Sequence, residues 1–92
     1  NRMEGKMKDI LYFYLPTCPH CAKATKEIEE IRKEHPEYAA VKVQMVDESA
    51  NEDFAAKFDY NYVPCMYLDG DKKIEGQCDK DKLLALFKEA KG

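Results

Sequence analysis

Residues 10–21 read I-L-Y-F-Y-L-P-T-C-P-H-C, an apolar and aromatic run that ends at a proline and leads into two cysteines. A continuous run of this kind predicts a strand that is buried on both faces. From Pro19 onward, apolar and small residues recur at helical spacing with Lys and Glu between them, which predicts a helix over residues 19–34 that stops before Pro36. Four residues form its predicted inner face: Cys21, Thr25, Ile28 and Ile31. The first cysteine therefore lies where a core strand passes into a helix.

Two shorter elements are predicted after this helix. Residues 41–46 alternate as V-K-V-Q-M-V, which is typical of a half-buried strand. Residues 49–52 have the S-x-x-E form of a capping box, and two phenylalanines follow one turn apart, so we expect a short second helix here.

The last third of the chain predicts a hairpin and a final helix. Residues 65–68 and 72–75 are expected to form strands joined by a tight turn at Asp69-Gly70. Asp79 is the expected N-cap of the helix that follows. This helix turns three side chains inward: Leu83, Leu84 and Phe87.

Length and element order together predict a single α/β domain. The chain has 92 residues, of which 45% are hydrophobic and 36% are charged, as expected for one globular unit. The order β-α-β-α-β-β-α favours a parallel first pair of strands and an antiparallel hairpin, giving a four-stranded mixed sheet flanked by three helices over residues 7–92. Residues 1–6 are expected to be a disordered N-terminal segment or a remnant of cloning, with a missing upstream segment as a further alternative.

Charge and hydropathy narrow the classes of partner. The formal net charge is −3 with the two signs interleaved, so an approach to phosphate backbones is repulsive and we expect no nucleic-acid partner. No apolar run approaches the roughly 20 residues that span a bilayer, and the start lacks the pattern of a signal peptide. We therefore expect no membrane association, a cytoplasmic location and a monomer whose partners are proteins, peptides or small thiols.

The four cysteines are Cys18, Cys21, Cys65 and Cys78. Two structural disulfides would suit a small secreted scaffold that lacks a core, whereas the hydrophobic content here indicates a core and favours reactive cysteines in a reducing compartment. A zinc site needs a second close pair of ligands. The later two cysteines have twelve residues between them and the histidines add no close pair, so we expect no metal.

The Cys18-Pro19-His20-Cys21 motif is the candidate for chemistry. The unpaired N–H groups and positive potential of a helix N-terminus stabilise a thiolate at Cys18. Cys21 lies one turn later and can donate to that thiolate or form a disulfide with it, while His20 adds stabilisation and Pro19 is tolerated in the first turn. We expect Cys18 to attack substrate disulfides and Cys21 to resolve the mixed disulfide, with no cofactor beyond this redox-active pair.

Three local features resemble the thioredoxin superfamily, and most closely its glutaredoxin branch. They are C-P-H-C at residues 18–21, Val63-Pro64 before a predicted strand, and G-Q-C-D at residues 76–79 before the last helix. The resemblance implies the thioredoxin fold and a cis proline at residue 64 that faces the active-site sulfur.

The resemblance also implies where substrate binds. The loop Tyr62-Val63-Pro64 would pair its backbone with an extended substrate beside the first cysteine. After Gly76, backbone N–H groups near Cys78 and Asp79 would take a carboxylate, as in proteins that use glutathione.

The sequence departs from both branches of the superfamily. Glutaredoxins usually carry a Lys shortly before the first cysteine, a Thr before Val-Pro and paired glycines before the last helix. This chain instead has Y-L-P-T at residues 14–17, Tyr62, and Gly76-Gln77. Thioredoxins carry a Trp before the first cysteine and a buried Asp beneath the pair, and this chain has no Trp and no clear match for the Asp.

Three functions remain as hypotheses. The first is dithiol–disulfide exchange on protein substrates, with a thiol reductase or glutathione restoring the dithiol. The second is a glutathione-dependent glutaredoxin that removes glutathione from proteins with Cys18 alone. The third is a metal-handling or redox-sensing module that binds a partner without turnover.

Overall fold

The computed structural model describes residues 7–92, so the expectation for residues 1–6 lies outside the described part. Strands and helices follow one another in the predicted order, with short 3-10 turns at Pro36–Tyr38 and Glu48–Ala50. The elements are β1 (Ile10–Tyr14), α1 (Pro19–Glu34), β2 (Val43–Asp47), α2 (Glu52–Ala55), β3 (Cys65–Leu68), β4 (Asp71–Glu75) and α3 (Lys80–Lys91).

The four strands form one mixed sheet in the order β2-β1-β3-β4. β1 pairs in parallel with β2 and antiparallel with β3, and β3 pairs antiparallel with β4. The predicted four-stranded mixed sheet with three helices is therefore confirmed. β1 lies inside the sheet, and a short loop of residues 15–18 connects its end to the start of α1.

Both faces of the sheet are covered, which explains the uninterrupted apolar run of β1. Ile10 and Tyr12 point into one core, which α1 and α3 close, and Phe13 points into a second core on the other face. All three side chains are fully buried. The second core is completed by Val46, Ala55, Cys65 and Tyr67.

The predicted capping box at residues 49–52 is wrong. The Asp47 carboxylate Oδ1 accepts hydrogen bonds from the Ser49 amide at 2.9 Å and the Ser49 hydroxyl at 2.7 Å. Because Ser49 is bonded to Asp47, it does not cap the helix, and a 3-10 turn forms instead. Asp and Ser side chains often bond to nearby backbone groups in this way and compete with regular secondary structure. α2 begins only at Glu52, after Asn51, whose side chain makes no capping bond.

The alternation predicted for residues 41–46 is only partly correct. The strand starts at Val43, and Val41 is fully buried just before it. Met45 is 46% exposed, although the alternation places it on the buried face. β2 lies at the edge of the sheet, where cover on either face is incomplete.

The hairpin and the final helix are confirmed. Asp69 and Gly70 have φ values of 53° and 87°, the left-handed pair that a two-residue hairpin turn requires. β4 begins at Asp71, one residue earlier than predicted. At α3, Asp79 Oδ1 accepts from the Lys82 amide at 2.9 Å, which is the predicted N-cap. Of the side chains predicted to turn inward, Leu83 and Phe87 are fully buried and Leu84 is half-buried.

Candidate active site

Cys18 occupies the N-cap position of α1. Its backbone is extended, Pro19 takes the first helical position, and the Cys21 amide donates to the Cys18 sulfur at 3.2 Å. The sulfur thus does what a Ser or Asp oxygen does at other helix starts, because it accepts from an N–H group that has no partner within the helix. The partial positive charge of the helix N-terminus favours negative charge at this atom. Cys18 is half-buried, so its sulfur stays within reach of a substrate.

Cys21 lies one turn along on the inner face of α1 and is 2% exposed. Burial, followed by the hydrogen bond with Cys18, raises the pKa of the Cys21 thiol. All four cysteines are free thiols in this structure. The pair therefore combines a half-exposed sulfur at the helix start with a buried thiol that keeps its proton at neutral pH.

Tyr12 supports the turn that carries Cys21. Its hydroxyl donates to the Cys21 carbonyl at 2.8 Å and lies 2.9 Å from the Thr25 hydroxyl, and burial raises the pKa of Tyr12 to about 12. Thr25 is therefore half-buried and hydrogen-bonded, and Ala24 takes the buried position that the sequence assigned to Thr25. The sequence pattern did not indicate this link to the cysteine turn, because an aromatic run in a strand does not show which partner a tyrosine hydroxyl meets.

The loop before β3 brings backbone to the cysteine pair. The Val63–Pro64 peptide bond is cis, as the resemblance implied, and Pro64 is buried. The Cys18 thiol points at the Val63 carbonyl oxygen, 3.9 Å away. Tyr62 is 68% exposed beside them. Of the predicted substrate-binding residues, the structure places Val63 directly at the sulfur.

Glu75 at the end of β4 holds this loop, a role that the sequence did not predict. Its Oε2 atom accepts from the amides of both Asn61 and Tyr62, the latter at 3.2 Å, and its Oε1 atom lies 2.8 Å from Lys72 Nζ. The Lys72 ammonium, together with these amides, holds the pKa of Glu75 below its ordinary value. An acid at the end of an exposed strand gives no signal of this role, since its partners lie about a dozen positions earlier in the chain.

Gly76 ties the same loop from the other side. Its amide donates to the Pro64 carbonyl at 2.8 Å. Its φ of 85° lies in the left-handed region that favours glycine, and a Cβ built there would lie 3.5 Å from Tyr62 Cβ. The predicted site residue Gly76 therefore packs against the loop.

Two other predicted site residues, Cys78 and Asp79, have their polar contacts elsewhere. The Asp79 carboxylate caps α3, and the Cys78 carbonyl lies 3.5 Å from Lys23 Nζ. Cys78 is half-buried against the core that α1 and α3 close, and burial raises the pKa of its thiol. His20 is exposed on the first turn of α1, and its side chain makes no hydrogen bond within residues 7–92.

Cys65 follows Pro64 directly but faces away from solvent. It is fully buried in the second core, and desolvation raises its pKa to about 11.

Among the described residues, no three His, Cys, Asp or Glu side chains are grouped as metal ligands. No helix between residues 7 and 92 is both long and apolar enough to cross a bilayer.

Comparison with known proteins shows one family. The thioredoxin family model matches residues 3–89. The chain is 32% identical to the thioredoxin of Methanocaldococcus jannaschii over 79 residues, which cover 86% of this chain and 91% of the relative. It is 34% identical to a probable thioredoxin of Archaeoglobus fulgidus over 80 residues, covering 87% of this chain and 86% of that one.

Solved structures show the same fold. An Arabidopsis thaliana thioredoxin in its oxidised state superposes with a TM-score of 0.72 at 24% identity, covering 97% of this chain and 82% of that one. Fasciola hepatica thioredoxin superposes with a TM-score of 0.68 at 24% identity, covering 92% and 82%. These similarities support the thioredoxin superfamily and give no support to the narrower assignment to its glutaredoxin branch. The chain belongs to the thioredoxin family of thiol–disulfide oxidoreductases.

Proposed function

We propose that this protein exchanges its cysteine dithiol with the disulfides of protein substrates, with Cys18 as the nucleophile and Cys21 as the resolving thiol. One observation carries the proposal. The Cys18 sulfur is half-exposed at the start of α1 and accepts the Cys21 amide at 3.2 Å, while the Cys21 side chain is buried beside it. The two positions differ in access, and attack on a substrate needs access.

The reaction proceeds through two exchanges. The Cys18 thiolate attacks one sulfur of the substrate disulfide, the substrate S–S bond breaks, and the second substrate sulfur leaves as a thiolate and takes up a proton. The Cys21 thiol then loses its proton and attacks the Cys18 sulfur of the mixed disulfide. The first substrate sulfur leaves and is protonated, so the substrate gains two electrons and two protons and the enzyme becomes the disulfide.

The loop at Tyr62 and Val63 supplies the substrate contact in this proposal. The Val63 carbonyl lies next to the Cys18 sulfur, so an extended substrate that pairs with this backbone would hold its disulfide within reach of attack. A thiol reductase or glutathione would return the enzyme disulfide to the dithiol. A reducing cytoplasm would favour the reduction of substrates over their oxidation.

The glutathione-dependent alternative has less support from this site. Residues 14–17 offer no cation beside the first cysteine. The relatives reported above are a thioredoxin and a probable thioredoxin. A metal-handling module has no grouped ligands in residues 7–92 to support it.

The experiment is insulin disulfide reduction with dithiothreitol as the reductant. We expect Cys18→Ser to show no turnover above the uncatalysed rate, and Cys21→Ser to lose turnover. When reduced Cys21→Ser is freed of dithiothreitol and then mixed with insulin, it should accumulate a mixed disulfide that mass spectrometry detects, because no second thiol resolves it. Cys65→Ala is the matched control, because its thiol is fully buried away from solvent, and it should retain turnover.

The same variants separate the alternatives. Full activity of Cys21→Ser in the removal of glutathione from a glutathionylated protein would favour the glutaredoxin function. If Cys18→Ser reduced insulin as fast as the wild type, the proposal would be wrong.

A further inference from the structure

We propose that Glu75 is a positioning residue that fixes the loop of residues 61–63 so that it can receive an extended protein substrate beside Cys18. The inference rests on the proposed function and deepens it. It assigns the fixed shape of the substrate-binding loop to one carboxylate at the end of β4, outside the cysteine motif and outside the loop itself.

One oxygen of the Glu75 carboxylate accepts hydrogen bonds from two consecutive amides. Asn61 and Tyr62 both donate to Glu75 Oε2, and both residues are exposed, so neither is held in place by burial. Charge-assisted hydrogen bonds are roughly twice as strong as neutral ones. The carboxylate is therefore the main restraint that the structure shows on this part of the loop.

The Glu75 carboxylate is itself anchored by Lys72. Lys72 Nζ lies 2.8 Å from Glu75 Oε1 and donates to the Asp59 carbonyl at 3.1 Å. Lys72 thus links the carboxylate to the chain just before the loop. Glu75 is also paired in register with Cys65 on the neighbouring strand β3. This pairing fixes the position of Glu75 along the strand next to Pro64, the residue before Cys65.

The contacts on either side of Val63 leave its backbone available. The Glu75 side chain holds residues 61 and 62, and the adjacent Gly76 amide holds the Pro64 carbonyl at 2.8 Å. Val63 lies between these two attachments. Its carbonyl faces the Cys18 sulfur at 3.9 Å, and its amide has no hydrogen-bond partner within residues 7–92. Backbone polar groups need partners, and a substrate strand would supply them.

A loop that is already ordered should bind an extended segment more tightly. Association includes the entropy loss of ordering flexible loops and side chains, so a restraint present before binding lowers that loss. A small disulfide without a polypeptide backbone does not use the loop. Loss of the Glu75 restraint should therefore weaken docking of protein disulfides and leave small disulfides unaffected.

The test compares two substrates, insulin and the disulfide of β-mercaptoethanol, each with dithiothreitol as the reductant. Because a hydrogen bond to a charged group contributes enough to change affinity by about tenfold, we expect Glu75→Ala to raise the KM for insulin by about tenfold with kcat little changed. Glu75→Gln keeps a carbonyl acceptor for the two amides and should restore most of the lost affinity. Neither variant should change the rate with the small disulfide.

The matched control is Glu89→Gln. Glu89 lies on α3 and pairs at 3.0 Å with Lys73, which is on β4 like Glu75. This variant therefore also removes one carboxylate and one surface ion pair, but it leaves the loop intact. We expect wild-type KM for insulin in this variant. Thermal unfolding of all three variants reports whether each is folded, and Glu75→Gln carries the test if Glu75→Ala does not fold.

The outcomes separate this inference from the proposed function. An unchanged insulin KM in folded Glu75→Ala would overturn the inference, and so would an equal loss of rate with both substrates, since that would indicate a general structural role. If Glu75→Ala does not fold, a folded Glu75→Gln with a raised KM for insulin and an unchanged rate on the small disulfide supports the inference, because a neutral acceptor holds the two amides less strongly than a carboxylate. An unchanged KM for insulin in Glu75→Gln, or an equal loss on both substrates, then overturns it. A wild-type protein that reduces neither disulfide would overturn the proposed function itself.

Discussion

Replacement of Tyr12 by Phe removes one hydroxyl from the core beneath the cysteine turn. The hydroxyl donates to the Cys21 carbonyl at 2.8 Å and lies 2.9 Å from the Thr25 hydroxyl, in a side chain that is fully buried. A buried hydrogen bond contributes about 1 kcal/mol net, so Tyr12→Phe should lower the free energy of unfolding by about 1–2 kcal/mol at neutral pH. The ring itself is retained, so no cavity larger than the lost oxygen is formed.

The sign of the pH dependence follows from the titration of the same hydroxyl. Burial raises the pKa of Tyr12 from the ordinary 10.0 to about 12, so the folded protein keeps the proton where the unfolded chain has lost it. The stabilisation is complete below pH 10 and is lost as the pH rises toward 12. At about pH 11 the unfolded state has gained about 1.4 kcal/mol from ionisation, which the phenylalanine variant cannot gain. The difference between wild type and Tyr12→Phe should therefore shrink to near zero.

The assay is urea unfolding under reducing conditions, followed by circular dichroism near neutral pH and at about pH 11. Other titrating groups are common to both proteins, so the difference between them isolates Tyr12. Tyr14→Phe is the control, since the Tyr14 hydroxyl makes no hydrogen bond within the described residues, and its effect should stay within about 0.5 kcal/mol at both pH values. A wild-type minus Tyr12→Phe difference that is the same at both pH values would refute this reasoning.

Two further predictions concern α3 and the substrate loop. Asp79→Ala removes the side-chain acceptor for the Lys82 amide and should lower the free energy of unfolding by about 1 kcal/mol in urea titrations. Asp79→Asn keeps an acceptor and should retain most of the wild-type stability. Equal stability of the alanine and wild-type proteins would contradict the capping role. Tyr62→Ala removes a ring that is 68% exposed beside the site. The KM for insulin should rise about threefold, as expected for one lost aromatic contact, with thermal stability and the rate on a small disulfide retained; an unchanged KM would remove Tyr62 from the binding surface.

Elements that depend on short stretches of sequence were predictable. β1 and α1 follow from a continuous apolar run and from helical periodicity, and Asp79 caps α3 because the capping bond spans only three residues. The start of α2 was misplaced for an equally local reason. Asp47 and Ser49 form a bond that competes with the capping box, and both patterns are present in the same few residues.

The site was predictable to the extent that it lies within one stretch of chain. The two cysteines fall at the junction of β1 and α1, so their placement at a helix start could be inferred from spacing alone. The Glu75 contact could not, because it depends on the register of β3 against β4, which shifts between Met66 and Tyr67. A one-residue difference in register would turn the carboxylate to the other face. The hydrogen bond from Tyr12 to the Cys21 turn likewise requires the packing of a strand against a helix.

The position of β4 at the margin of the sheet has a consequence for behaviour at high concentration. Its first three residues, Asp71, Lys72 and Lys73, are exposed and charged. A second molecule that extended the sheet at this margin would have to desolvate those charges, and Lys73 would have to leave its partner on α3. Lysines on edge strands oppose intermolecular strand pairing in this way. The β4 margin should therefore resist the addition of a further strand from a second molecule.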